Sequence, residues 1–190
     1  LAPYLEFLSK LTAAQHSVMG ALPPAPALDP EQTAKALAHG MPPIFIDTSK
    51  PDSLLDDTLL KFLDALAKNE LAQAPKATIE ALRALTPEAR MALMSDALAG
   101  APTENLAQRT MVLAALQVHA TRLTKGLDAE ALKPIADGVC PSCGNPPAAS
   151  AVVGWPSANN SRFCFCSLCN TAWNVVRVKC CLCSSTGGIS

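Results

Sequence analysis

All eight cysteines of this chain lie between Cys140 and Cys183, and none occurs in the 139 residues before them. Six of the eight form pairs in which two residues separate the cysteines: C-P-S-C at 140–143, C-S-L-C at 166–169 and C-C-L-C at 180–183. A turn of this length can direct both sulfurs, together with its own backbone amides, toward a single ion. The three pairs therefore predict that this part of the chain folds around metal.

Two of the pairs have the spacing of one complete site. A closed site for zinc, or for one iron, requires four thiolates in a tetrahedron, usually from two pairs that face each other. Cys140/Cys143 and Cys166/Cys169 are separated by 22 residues, slightly more than is typical of a four-cysteine zinc site. The intervening residues have the pattern of two short strands joined by a polar turn. We therefore expect these four cysteines to hold one zinc or iron ion in a ribbon-type module.

A further strand is expected after the second pair. The segment T-A-W-N-V-V-R-V-K at 171–179 alternates, with Trp173 and Arg177 on one face, and it leads directly into the third pair. Trp173 is expected to pack beside the first site, and Arg177 to cover the sheet with its long side chain.

The third pair, Cys180/Cys183, has no second pair before Ser190, and two thiolates do not satisfy a tetrahedral ion. A fourth pair can lie beyond Ser190, another copy of the chain can complete the site, or Cys164 and Cys181 can complete it. Completion by another copy predicts about three metal ions per two chains. A different first site, in which the second and third pairs cooperate, is the remaining alternative.

Disulfides are the main alternative to metal binding. The sequence opens with no recognisable secretory signal, and paired cysteines at this spacing in an intracellular protein favour metal or redox use. A thioredoxin-like role is disfavoured because the pairs lie among short strands and turns, and not at the start of a helix.

The residues before the cysteines are predicted to be helical. Hydrophobic residues make up 49% of the chain and aromatic residues only 4%, and much of the apolar content is Ala and Leu, which favour helices. We predict six helices: over 1–19, over 30–38 with Asp29 as cap, from Ser53 with a Ser53/Asp56 capping signal, over 76–85, from Thr86-Pro87 to Gly100, and from Thr103 to Lys125. The predicted fold class is thus multidomain α plus small β. Residues 1–126 form an all-α irregular bundle, 127–138 a linker, and a metal module follows.

The helical part contains no recognisable enzyme site. Its three histidines are far apart in sequence, and we expect each to be a surface or core residue. Met91 and Met94 are expected to fill the core, and the acidic pair Asp56-Asp57 to form a solvated face. We therefore predict that the protein is not an enzyme.

Charge disfavours a nucleic-acid-binding protein, and hydropathy argues against a membrane-spanning one. The net charge is −1, and from Gly138 onward the basic residues are Arg162, Arg177 and Lys179, with no Asp or Glu. Three basic residues do not form a stripe that neutralises several phosphates, so nucleic acid is disfavoured. No apolar run is long enough to span a membrane. An Ala- and Leu-rich bundle with few charges is compatible with a homodimer.

The cysteine-rich segment resembles the formate dehydrogenase accessory (FdhE) family. The resemblance rests on C-P-S-C-G-N-P-P-A-A-S from Cys140, and on R-F-C-F-C-S-L-C-N-T-A-W-N-V-V-R-V-K-C-C-L-C from Arg162. A generic zinc ribbon would share only the cysteines. The match covers 139–190 specifically, and the helical region before it agrees more loosely.

The resemblance implies a helical domain followed by two rubredoxin-like modules, each with a four-cysteine site for iron or zinc. The first module would span 139–176, with Cys140, Cys143, Cys166 and Cys169 as metal ligands. The second would begin at 177–190, with Cys180 and Cys183 as half of its site. The fourth pair expected in the family is absent from this sequence, which supports a fragment of a longer chain.

The function that the resemblance implies is that of a cytoplasmic accessory factor. It would bind the immature catalytic subunit of formate dehydrogenase and be required for maturation of the active enzyme. Two alternatives stay open: a redox-active iron-thiolate protein that donates electrons or sulfur to that enzyme, and a zinc ribbon that binds nucleic acid.

Overall fold

The computed structural model describes residues 1–49 and 52–187. These residues form six helices and one three-stranded sheet, so the predicted class of an all-α part followed by a small β part is confirmed. None of these helices is long and apolar enough to cross a membrane. In chain order the elements are α1 Ala2–Ala21, α2 Pro30–Ala38, α3 Ser53–Ala67, α4 Gln73–Ala84, α5 Pro87–Ala99, α6 Leu106–Thr124, β1 Pro147–Val153, β2 Ser161–Cys166 and β3 Ala172–Val175.

The described residues divide into two compact units. Unit 1 comprises Leu1–Ala25 and Ile46–His119, and unit 2 comprises Pro26–Phe45 and Ala120–Ser190. The division falls inside α6, and it places residues 26–45, called the proline-rich segment below and including α2, in the same unit as the cysteines. The domain boundaries inferred from the sequence remain a prediction, and residues 188–190 of the last predicted module lie outside the described residues.

Unit 1 is organised around α3. Its buried side chains recur at helical spacing, and α3 packs against α1, α4 and α5. Full burial of one such Leu or Phe side chain contributes about 1.5–3 kcal/mol. Met91 and Met94 are also buried, which confirms them as core residues. The apolar α3 residues with no exposed surface are Leu55, Leu59, Phe62, Leu63 and Leu66.

The start and end of α5 follow from local sequence signals. Thr86 Oγ1 accepts a hydrogen bond from the Ala89 amide at 3.3 Å, and Pro87 occupies the first helical position, where its missing N–H costs nothing. Gly100 ends the helix in the left-handed conformation, with φ +69°. These features confirm the predicted Thr86-Pro87 start and Gly100 end.

Helix α3 begins at Ser53 as predicted but has a different cap, whereas α4 begins at Gln73, before the predicted residue 76, and α6 also begins elsewhere. Asp52, and not Ser53, caps α3, because its Oδ1 accepts from the amides of Leu54 at 2.8 Å and Leu55 at 3.1 Å. Helix α6 begins at Leu106, later than the predicted Thr103, with Asn105 Oδ1 accepting from the Gln108 amide at 3.0 Å. In α3 and α6 the capping oxygen comes from an Asp or Asn side chain, and not from the nearby Ser or Thr hydroxyl that was predicted to cap.

The sheet in unit 2 is antiparallel, with strand order β1-β2-β3. Cys164 in β2 pairs with Ser150 in β1 and with Trp173 in β3. Side chains alternate along a strand, so Cys164 and Cys166 lie on one face of β2, and both are buried. Trp173 is buried as well, as predicted.

Strand β3 is shorter than predicted. It ends at Val175, and Val176 and Val178 are exposed. The Arg162 side chain accounts for this end, because its Nη1 donates to the carbonyls of Arg177 at 3.4 Å and Lys179 at 2.8 Å. The alternating sequence pattern does not reveal that a guanidinium binds these carbonyls.

The prediction that both Asp56 and Asp57 face solvent is wrong for Asp56. Arg90 donates from Nε to Asp56 Oδ1 at 2.5 Å and from Nη2 to Asp56 Oδ2 at 2.7 Å. The two side chains are only 6% and 14% exposed. Asp57, by contrast, pairs with Lys61 at 3.0 Å, and both of these side chains are largely exposed.

The two neighbouring aspartates provide a matched test. Asp56→Asn should lower the free energy of unfolding by about 3 kcal/mol, because it leaves the buried Arg90 charge without its counter-ion. Asp57→Asn should cost less than about 1 kcal/mol, because an exposed ion pair is weak. Urea denaturation followed by circular dichroism at 222 nm measures both. Equal losses for the two variants would contradict a special role for the Asp56–Arg90 pair.

Candidate metal centre

The first cysteine pair forms a tight turn closed by two backbone hydrogen bonds. The Cys140 amide donates to the Asn145 carbonyl at 3.0 Å, and the Gly144 amide donates to the Cys140 carbonyl at 2.9 Å. Gly144 has φ +78°, a conformation that glycine adopts without a steric penalty. This geometry directs the sulfurs of Cys140 and Cys143 to the same side of the turn.

The second pair repeats this turn with different residues. The Cys166 amide donates to the Thr171 carbonyl at 3.0 Å, and Asn170 takes the left-handed position with φ +58°. The Leu168 and Cys169 amides both donate to Cys166 Sγ, at 3.3 and 3.4 Å. The amides inside the turn therefore point at sulfur, as a metal-bound thiolate requires.

The two turns bring four sulfurs together. Cys140 Sγ lies 3.6 Å from Cys169 Sγ, and Cys143 Sγ lies 3.4 Å from Cys166 Sγ. All four sulfurs lie within 4.8 Å of one another. Four sulfurs around one zinc at about 2.3 Å would be separated by about 3.8 Å. The group therefore has the size of a tetrathiolate site and could bind a metal ion.

Disulfide bonds are excluded for the cysteines in the structure. All eight are free thiols, and the sulfur separations above exceed an S–S bond of about 2.05 Å by more than 1 Å. The predicted alternative in which the second pair joins the third pair is also not observed, since the second pair faces the first.

The four thiols influence one another's ionisation. The other thiols, Cys143 most of all, donate hydrogen bonds that lower the pKa of Cys140, whereas Cys140 most of all raises the pKa of Cys143. For Cys166, the hydrogen bond with Cys140 raises the pKa, but Cys143, Cys169 and the Cys169 amide lower it, to about 7 overall. The group can thus release one proton readily, and a bound cation would displace the protons that remain on the other thiols.

The proline-rich segment lies against the first turn, in the same unit. The Ile44 amide donates to the Ser142 carbonyl at 2.9 Å, and a Cβ added at Gly144 would lie 3.2 Å from Pro42 Cγ. Ile44 is 4% exposed, and Ser142 has no exposed surface. The sequence does not predict this contact, because nothing in the residues around Pro42 or Ile44 indicates a partner about 100 residues away.

The third pair forms the same turn but lies outside the four-sulfur group. The Cys180 amide donates to the Ser185 carbonyl at 2.8 Å, and the Ser184 amide donates to the Cys180 carbonyl at 3.1 Å. Ser184 takes the left-handed position, with φ +61°. The Cys183 amide, and then the Leu182 amide, lower the pKa of the Cys180 thiol. The assignment of Cys180 and Cys183 as metal ligands remains a prediction.

Residues outside this third turn hold it in place. Asp137 Oδ2 accepts from Lys179 Nζ at 2.6 Å, and it also accepts a short hydrogen bond from Ser184 Oγ. Lys179, and then Ser184, lower the pKa of Asp137. Arg162, which binds the Lys179 carbonyl, also donates to Ser150 Oγ from Nε at 3.1 Å and from Nη2 at 2.8 Å.

The two cysteines outside the three pairs, Cys164 and Cys181, lie near each other. Burial, and then a hydrogen bond with Cys181, raise the pKa of Cys164 to about 11. Within residues 1–49 and 52–187, the cysteines 164, 180, 181 and 183 do not form a second group with the four-sulfur geometry.

The histidines do not belong to the site. His16 and His39 are exposed, and His119 is buried in the helical part. The described metal-binding group therefore consists of sulfur alone, and four protein sulfurs leave no open position for water. Such a closed site suits a structural ion or an electron carrier, and not metal-assisted hydrolysis.

Two family models match the chain. The first, "FdhE, N-terminal", covers residues 1–137, and the second, "FdhE, central domain", covers residues 139–177. A curated relative from Rhizobium meliloti, "Protein FdhE homolog", is 40% identical over 196 residues, which is 100% of this chain and 62% of the relative. A relative of the same description from Stutzerimonas stutzeri is 33% identical over 190 residues and covers 98% of this chain and 61% of its own length.

A solved structure is also similar. The crystal structure of the FdhE protein from Pseudomonas aeruginosa matches with a TM-score of 0.74 and 30% identity. The match covers 97% of this chain and 64% of that one. The chain thus spans about three fifths of the length of its curated relatives.

A pair of cysteines in β2 tests the four-sulfur group. Cys166→Ser should weaken Zn²⁺ binding by more than about 100-fold, because losing a ligand costs more than losing an outer hydrogen bond. Cys164→Ser changes a buried cysteine on the same face of the same strand, and it should leave the affinity unchanged. Competition with a chromophoric chelator under anaerobic, reducing conditions measures both affinities. Undiminished binding by the Cys166 variant would contradict the assignment, as would a large loss for the Cys164 variant.

Proposed function

The chain belongs to the FdhE family, and from this premise we propose that it acts as an accessory factor in the maturation of formate dehydrogenase. In this role it binds the immature catalytic subunit in the cytoplasm and has no catalytic activity of its own. The observation that carries the proposal is the four-sulfur group, which lies wholly inside the segment matched by the central domain of that family.

A bound ion would give the central segment its shape. The segment has only three short strands, and a module this small rarely buries enough apolar surface to fold alone. Coordination by Cys140, Cys143, Cys166 and Cys169 would supply the missing folding free energy. The resulting surface is then rigid enough to recognise a folded or partly folded protein.

The charges of the segment from Gly138 onward favour a protein partner over nucleic acid. Arg162 donates to Ser150 and to backbone carbonyls, Arg177 donates to Asn160 Oδ1 at 2.5 Å, and Lys179 pairs with Asp137. A phosphate-binding surface needs several basic groups that are not already engaged. We therefore favour the accessory function over that of a zinc ribbon that binds nucleic acid.

The third turn supports a second metal site in the same function. Its conformation repeats that of the two turns that hold the four-sulfur group, so Cys180 and Cys183 would contribute two of four ligands. Within this proposal the second ion stabilises a second module of the rubredoxin type.

Affinity capture tests the proposal. The zinc-loaded chain should capture the formate dehydrogenase catalytic subunit, and Cys140→Ser/Cys143→Ser should reduce capture at least tenfold, because the module loses its ion and its shape. Cys164→Ser should capture as well as the unchanged chain. The measurement is quantitative immunoblotting of the captured subunit.

The full-length Rhizobium meliloti homologue is tested in parallel. If neither protein captures the subunit under reducing, zinc-replete conditions, the proposed function is wrong. If only the homologue does, the partner surface lies in the part of the relatives that this chain does not span. A visible thiolate-to-iron absorption with reversible reduction would instead favour the redox-active alternative.

A further inference from the structure

Two hydroxyl groups connect to one sulfur of the group. Thr171 Oγ1 lies 3.1 Å from Cys169 Sγ and 2.9 Å from Ser142 Oγ. Ser142 has no exposed surface, and Cys169 is 1% exposed. The three side chains form a continuous hydrogen-bonded chain that runs from the protein interior to a sulfur.

Ser142 and Thr171 come from the two different turns. Ser142 lies between Cys140 and Cys143, and Thr171 follows the second turn, with its carbonyl accepting from the Cys166 amide at 3.0 Å. The Ile44 amide, which donates to the Ser142 carbonyl at 2.9 Å, fixes the backbone of the first turn from the other side. The backbones of both residues are therefore held by contacts that do not involve the Cys169 sulfur.

The sulfurs differ in the side-chain and backbone groups that contact them. Cys166 Sγ accepts from two amides, and Cys143 Sγ has the Asn145 side-chain amide at 3.7 Å. Cys169 Sγ is contacted by a hydroxyl at a shorter distance, 3.1 Å. A hydroxyl can reverse its role from acceptor to donor, whereas an amide N–H only donates.

The direction of the hydrogen bonds depends on the charge of Cys169. A neutral Cys169 thiol can donate to Thr171, whose hydroxyl then donates to Ser142. A Cys169 thiolate has no proton to donate, so Thr171 must donate to the sulfur and accept from Ser142. If the four sulfurs held a divalent ion, Cys169 would bind it as a thiolate, and the Thr171 hydroxyl, 3.1 Å from Cys169 Sγ, would donate to that sulfur.

We propose that Ser142 and Thr171 form a hydroxyl relay that stabilises Cys169 as a metal-bound thiolate. Thr171 is the positioning residue that contacts the sulfur, and Ser142 orients the Thr171 hydroxyl. The relay raises the affinity of the group for a divalent cation and reduces electron donation from Cys169 to the ion. It requires that the four sulfurs bind an ion, but it does not depend on the accessory function proposed above.

Isosteric substitutions separate this role from packing. Thr171→Val keeps the volume of the side chain and removes the hydroxyl, so it should weaken Zn²⁺ binding by about tenfold, the scale of an outer-shell contact. With Co²⁺ as a spectroscopic probe, its sulfur-to-metal absorption should move to longer wavelength, because a thiolate without its hydrogen bond donates electrons more strongly. Thr171→Ser restores the hydroxyl and should restore both readouts.

Ser142→Ala tests the second step of the relay. It should shift the Co²⁺ absorption in the same direction as Thr171→Val but by less, and it should have no further effect on affinity or spectrum in the Thr171→Val background. Thr124→Val is the matched control, since its hydroxyl donates to the Thr121 carbonyl at 2.7 Å and to no sulfur. This control should leave both readouts unchanged.

Several results would overturn the relay. They are an unchanged spectrum and affinity for Thr171→Val, a failure of Thr171→Ser to restore them, or equal effects of Ser142→Ala in both backgrounds. If Thr171→Val does not fold, Ser142→Ala decides, because an unshifted Co²⁺ absorption in that variant also contradicts the proposal. Capture of formate dehydrogenase is not a readout here, so failure of the accessory function leaves this test intact.

Discussion

The convergence of four sulfurs on one point is the constraint on which the β part of this molecule depends. The side chains buried there are mainly Cys140, Cys164, Cys166, Leu168, Cys169 and Trp173, and three of these six belong to the four-sulfur group. The helical part instead buries Leu and Phe side chains along α3, which stabilise it through the hydrophobic effect. The two parts are thus stabilised by different forces. The stability of the β part would depend strongly on metal and pH, and that of the helical part would not.

One backbone conformation accounts for the geometry of all three cysteine turns. The residue after each second cysteine has a positive φ, and it is Gly144, Asn170 and Ser184 in turn. This conformation turns the chain back so that the amides within the turn point at the first sulfur. Gly adopts it freely and Asn tolerates it. Ser184 adopts it at a cost, which its hydrogen bond to Asp137 helps to offset.

Local signals made much of the structure predictable. Cysteine spacing predicted which four sulfurs meet, and caps and prolines predicted the bounds of α2 and α5, because these features act within a few residues of the chain. Apart from the cap of α3 and the starts of α4 and α6, the main failures are contacts between distant residues. Arg90 pairs with Asp56 from 34 positions away, Arg162 ends β3 by binding carbonyls beyond it, and Ile44 covers Ser142. No periodicity or spacing encodes such partners.

The third turn has the conformation of the other two although it lies outside the four-sulfur group. It is closed by two backbone hydrogen bonds equivalent to those of the first turn. The side chains of Asp137 and Arg162 contact Lys179, directly before the turn. The backbone amides that lower the pKa of Cys180 act before any ion arrives. An ion bound there would therefore meet two ligands whose ordering entropy has already been lost. The remaining entropic cost of such a site would fall on the groups that supply the other two ligands.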